Sequence, residues 1–140
     1  MSHHTNDTDC PKCLEKLEMV HPYMQNWFLW VKSHWSEAHV AVGWRNEQDQ
    51  NSAYMNGRSK LPWPQSLHNH MDMDNPGNLT PCSKALDIFQ IIDHRAIFDG
   101  DWCQEVNDLT KQNGYKIRWG GSFQSIPDLD HFELVGDESN

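Results

Sequence analysis

Nowhere in the 140 residues does an apolar run approach the roughly 18 residues of a membrane-spanning helix, so insertion into a bilayer is not expected. Basic residues are scarce. Eleven Lys and Arg stand against 20 Asp and Glu, a net charge of −9, and such a chain would be repelled by a phosphate backbone. Nucleic acid is therefore not an expected partner. The first nine residues, Met1 to Asp9, are polar and lack the hydrophobic stretch of a secretory signal, so the chain is expected to be made in the cytoplasm without one. Cysteine is sparse too. Cys10 and Cys13 have the spacing of half a zinc knuckle, but Cys82 and Cys103 stand apart and supply no second half. Cys10 and Cys13 are read as reduced thiols at a helix start. A second structural metal, completed by a His, is the alternative.

What is present points to a folded domain. Hydrophobic residues make up 37% and aromatics 11%, with seven Trp, which is too apolar for a disordered chain. The length suits one domain with a core and a cleft. Nine His in a short acidic chain raise the prospect of a metal site, because neutral imidazole is the commonest metal ligand.

Residues 1–9 read as a loose tail, 10–135 as the domain, with 10–36 its helical N-terminal part, and 136–140 as an acidic tail. Leu14, Leu17, Val20 and Met24 recur at helical spacing, and Pro22 should break or kink that run. Trp27, Phe28, Val31 and Trp35 continue it as a core-facing piece. His39 to Trp44 alternates like a strand, and residues 47–56 suit a short helix ending near Gly57. From Pro62 to Pro81 the Pro, Gly, Asn and Asp content predicts a long irregular segment. Ala85 to Ile92 reads as a buried strand. Residues 101–113 read as a helix stopped by Gly114. Tyr115 to Trp119 and His131 to Leu134 read as strands joined by a Gly-Gly turn. This mixture predicts an α+β fold, a small antiparallel sheet with helices packed on it.

Three pieces carry chemistry: Ser66-Leu67-His68-Asn69, Ser83-Lys84-Ala85-Leu86-Asp87 and Asp128-Leu129-Asp130-His131-Phe132-Glu133. A catalytic zinc needs three protein ligands and an open position for water. A loop His, a strand Asp and a second strand His could supply them, with a carboxylate nearby to take the water's proton. Asp128 precedes His131 by three residues and could sit at the strand mouth. Asp130, adjacent to His131, would point to the opposite face of a regular strand. On spacing alone His70, Asp72, Asp74 and His94 remain rival ligands.

The pattern Ser66-x-His68, Ala85-x-Asp87 and Asp128-x-x-His131-Phe132-Glu133 resembles the zinc peptidases that include D-alanyl-D-alanine carboxypeptidases, vancomycin-resistance D,D-peptidases and phage L-alanyl-D-glutamate endolysins. Arg45, Glu47-Gln48 and Gly57-Arg58-Ser59 match a further upstream part of that pattern, and the match spans roughly residues 38–134. The resemblance implies a single-domain zinc peptidase fold, with His68, Asp87 and His131 as Zn2+ ligands and Asp128 as the catalytic carboxylate. Arg45 would contact the substrate carbonyl or carboxylate, with Gln48 beside it. Arg118 and Trp119, ahead of Gly120-Gly121, could form a substrate wall or an ordinary strand and turn. The chain departs from the family in one place, where the insert Asn69 to Lys84 separates the first His from the Asp. The implied activity is hydrolysis of a peptidoglycan stem peptide, between L-Ala and D-Glu, by a monomer acting on the cell wall in the manner of a phage endolysin. A D-alanyl-D-alanine carboxypeptidase and a non-catalytic zinc-binding or phage structural module are the alternatives.

Overall fold

The structure is a computed structural model that describes residues 15–75, 78–122 and 128–135, with the side chains of 72–80 excepted. The tails, Cys10 and Cys13 lie outside the described residues.

A short helical stretch at 15–17 gives way to a turn, and helix α1 (Pro22–His34) follows. Pro22 starts this helix. Its fixed φ suits the first turn and its missing N–H costs nothing there, while the His21 ring accepts the Tyr23 N–H at 3.1 Å. Met24, Trp27, Phe28 and Val31 recur at helical spacing and are all buried. Helix α2 (Glu47–Met55) is capped by the Asn46 side chain, which accepts the Asp49 N–H at 2.8 Å. Helix α3 (Gly100–Gln112) is capped by Asp99 and followed by Gly114 at φ 75°, a left-handed position that glycine takes without strain.

Strands β1 (Ala38–Val42), β4 (Ala85–Ile92), β7 (His131–Leu134) and β6 (Ile117–Trp119) lie in that order in one antiparallel sheet, and β5 (Arg95–Ile97) pairs with the far end of β4. Long β4 is thus flanked on one side by β1 and on the other first by β7, then by β5. The expected α+β architecture is the one observed. Two sequence expectations need correction. The segment from Pro62 to Pro81 is not irregular throughout. It contains a single 3-10 turn (Leu67–Asn69) and an antiparallel hairpin of β2 (Met71–Asn75) and β3 (Asn78–Pro81). Pro81 stands at the end of β3. The β4–β5 hairpin also went unread, because its turn uses Asp93 and His94 at positive φ where glycine is the usual signal.

Alternation along the strands divides the sheet. Leu86, Ile88, Phe132 and Leu134 join Trp27, Phe28 and Val31 of α1 and Trp102 and Val106 of α3 in one core. Trp27 stacks at a tilt on Phe132, ring centroids 4.9 Å apart, and its indole N–H donates to Thr110 of α3 at 3.0 Å. The intervening residues, Asp87, His131 and Glu133, face the other way.

Candidate metal centre

Asp87 of β4 and His131 of β7 are register partners, so their side chains rise side by side from one face. His68 arrives from the 3-10 turn. Ser66 caps that turn by accepting the His68 N–H, and Asn69 reaches back to the Ser66 N–H. Neighbouring backbone then pins the turn. Lys84 N–H donates to the Leu67 carbonyl at 3.0 Å, and Arg45 N–H to the His68 carbonyl at 2.8 Å. The insert between His68 and Asp87 therefore loops out as the β2–β3 hairpin while both of its ends are tied at the site.

The three side chains are buried and converge. Asp87 Oδ1 lies 3.2 Å from His68 Nε2 and 3.1 Å from His131 Nδ1. One ligand atom from each falls within 4.8 Å of the others, and this is the one such group among the described residues. The outward ring nitrogens are each matched to an oxygen acceptor. His68 Nδ1 lies 2.8 Å from the Gly43 carbonyl, which only accepts, so that nitrogen carries the proton. His131 Nε2 lies 2.8 Å from Glu133 Oε1, likewise an acceptor. Once each imidazole gives up the proton it shares with Asp87, its inner nitrogen would present a lone pair to a metal. Two lone pairs and a carboxylate pointed at one spot repel unless a cation sits among them. Two imidazole nitrogens and one carboxylate form a donor set that fits zinc with a position left for water.

The electrostatics agree. Burial opposes ionisation of Asp87, but the charge of His68 and hydrogen bonds from His131 and His68 hold its pKa well below the usual carboxylate range. Burial likewise opposes charge on His131, yet its hydrogen bonds to Asp87 and Glu133 push its pKa up to about 10. The site attracts a positive charge, and a proton is the smallest that can answer. Burial also works against Glu133, which its bonds to His131 and Arg118 keep ionised. Arg118 Nε donates to Glu133 at 3.2 Å, and an Nη bonds the same oxygen.

Asp128 stands at the mouth. Its carboxylate lies 3.9 Å from His131 Nδ1 and is about half exposed (48%). Residues 128–130 form a turn ahead of β7, with the His131 N–H on the Asp128 carbonyl at 3.2 Å. Asp130 precedes β7 and lines a cavity with Cys103 and Phe98. Burial, the charge of Asp87 and a hydrogen bond with Asp128 push its carboxyl up to about 7. Gly120 underlies this turn. A Cβ there would meet the Asp128 carbonyl oxygen at 2.2 Å and the Cβ atoms of Asp128 and His131 at 3.0 Å.

The other sequence candidates divide. Arg45 is brought near by its backbone bond to His68, and its Nη1 donates to Gln50 at 2.9 Å. Gln48 is exposed on α2, and the residue meeting Arg45 is Gln50, fully buried two positions on. Arg118 pairs with Glu133 on the site face. Trp119 turns to the core side, stacking toward Phe132 and donating its indole N–H to the Leu129 carbonyl at 2.7 Å. Among the rival ligands, His70 Nδ1 lies 3.0 Å from the Cys82 carbonyl and His94 is exposed in the β4–β5 turn. The side chains of Asp72 and Asp74 lie outside the described ones. Sequence reasoning gave no role to Glu133 or Gln50, although signals for both existed. Glu133 shares the face of His131 by strand period, and Gln50 shares a helix face with buried Ala53.

A small α+β domain with a buried His-Asp-His cluster on the open face of its sheet is what the fold and site define. No family model and no curated protein sequence matches the chain. Among solved structures it is similar to the Serratia marcescens L-Ala D-Glu endopeptidase ChiX, with a TM-score of 0.67 and 20% identity over 88% of this chain and 86% of that one. The likeness is one of fold. No helix among the described residues is long and apolar enough to cross a membrane.

Proposed function

We propose that the chain is a zinc peptidase that hydrolyses a bond of bacterial peptidoglycan stem peptides, the L-Ala–D-Glu bond being the specific target. The observation that carries this reading is the convergence of two imidazole nitrogens and a carboxylate beside the half-exposed Asp128. The fold it shares with an endopeptidase named for that bond supports the choice of substrate. His68, Asp87 and His131 would hold the metal, which when bound supplies Lewis acidity and a water acidic enough to ionise near neutrality.

The chain's own groups do the rest. Gly43 and Glu133 keep the two imidazoles in the ligating tautomer. Asp128, reachable from solvent, takes the proton of the attacking water and passes it to the leaving amine. Asp130 accompanies it as a neighbouring acid. Arg45 offers guanidinium donors to the substrate carbonyl or carboxylate. Mass spectrometry of muropeptides after digestion tests the reading. New N-terminal D-Glu peptides and free L-Ala ends are expected. Release of terminal D-Ala alone would assign a carboxypeptidase instead, and an unchanged digest would reject the peptidase.

A further inference from the structure

Helix α2 buries one polar side chain completely, and two of its partners, Arg45 and Asn69, lead to the site. Gln50 is 0% exposed. Its Oε1 accepts from Arg45 Nη1 at 2.9 Å and from Asn69 Nδ2 at 3.1 Å. Its Nε2 donates to Ser59 Oγ at 2.8 Å and to the Leu61 carbonyl at 2.5 Å. The carbonyl of Leu61 only accepts and the guanidinium only donates, so the amide has one orientation, and all four of its hydrogen-bonding positions are filled. Asn69 in turn donates to the Arg45 carbonyl at 2.9 Å and directly follows the candidate ligand His68. A buried amide with every bond made has no freedom to turn. The guanidinium it holds belongs to a half-buried arginine that has no carboxylate partner among the hydrogen bonds and ion pairs described for it.

We infer that Gln50 is a positioning residue, fixing the guanidinium of Arg45, whose backbone is bonded to that of His68, with its remaining donors available to substrate. The inference rests on the role proposed for Arg45. A neutral partner is what that role requires. A carboxylate at position 50 would neutralise the guanidinium and compete with an anionic substrate group for its donors. It would also set an anionic oxygen against the Leu61 carbonyl. Glutamine fixes the fork and leaves its charge uncompensated.

Two measurements on the zinc-loaded full chain test this. In side-chain NMR of the wild-type protein, Arg45 should show resolved, slowly rotating Nη–H signals, whereas exposed Arg58 should show one averaged signal. Gln50→Met keeps the side chain's length and removes its four bonds. It should average the Arg45 signals and lower kcat on a stem peptide on the order of tenfold or more, since small misplacements of a positioned group are costly. Zinc content should not change. In an Arg45→Ala background the same substitution should lower kcat no further. An equal additional loss in that background would reduce Gln50 to a structural residue and overturn the inference, as would Arg45 signals already averaged in the wild type. The wild-type spectrum decides the matter even if Gln50→Met does not fold. If the chain cuts no stem peptide while the NMR results hold, the proposed function fails and the fixing of Arg45 stands.

Discussion

The two faces of the sheet are made by the same strands and obey different rules. On one, Leu86, Ile88, Phe132 and Leu134 are held by shape and exclusion of water, which any well-packed set of apolar groups can provide. On the other, Asp87, His131 and Glu133 are held by directed bonds that engage both ring nitrogens of His131. Burial is similar on both faces, yet it stabilises the first and works against charge on the second. Stability and chemistry are therefore separable here at the resolution of a single residue step.

The sharpest break in the comparison is the neighbouring pair His131 and Phe132. His131→Ala should abolish zinc binding and turnover while the apo fold persists, whereas Phe132→Ala should cost about 3–5 kcal/mol of stability. Elemental analysis and thermal unfolding check both, and a zinc-loaded His131→Ala would remove it from the ligand set. His68→Ala should behave like His131→Ala, and His70→Ala should keep the metal.

Next comes the mouth of the site. Asp128→Ala should retain zinc and fold and lose turnover by on the order of 100- to 10,000-fold. Asp130→Asn, which keeps a hydrogen-bond donor for Asp128, should be much milder. Zinc-loaded variants assayed on a stem peptide decide between the two acids, and the reverse ranking would make Asp130 the base.

Glu133→Ala frees the His131 tautomer and should weaken zinc roughly 10- to 100-fold, the usual effect of losing a ligand's outer partner. Competition with a chelator of known affinity measures this, and unaltered affinity would show that the ring is fixed by packing alone. The smallest effect belongs to Cys103, which borders a cavity of about 180 Å3 with Phe98, Leu129 and Asp130. Burial and the charges of Asp130, Asp99 and Asp87 push its thiol up to about 12. A raised pKa keeps the unreactive thiol form at neutral pH, so alkylation at pH 8 should be slow in the native protein and rapid after unfolding. Rapid native labelling of Cys103 would mean that the cavity opens to solvent.

Much of this division can be read in the sequence because strand alternation is a strict code. Leu86-Asp87-Ile88 and His131-Phe132-Glu133 announce their faces before any coordinates exist. The code says nothing of residues outside a strand, such as Asp130 ahead of β7. Asp130 sits in a turn. Sequence pattern also fails on α2, where polar residues crowd together and only Ala53 hints that Gln50 and not Gln48 faces inward. The β2–β3 hairpin was unreadable for a different reason. A strand of alternating Met and Asp with proline at its partner's end carries no β-branched run to signal it.

Gly120 carries a consequence for anyone who would redesign this protein. A side chain at that position would have to occupy space already taken by the Asp128 carbonyl, and the same turn delivers both Asp128 and His131. A saturation library at position 120 should return glycine alone. Asp128 and His131 are thus mechanically geared to one another through a single missing methyl group. An engineer seeking to alter the distance between them must first rebuild the close approach of Gly120 to Asp128 and His131.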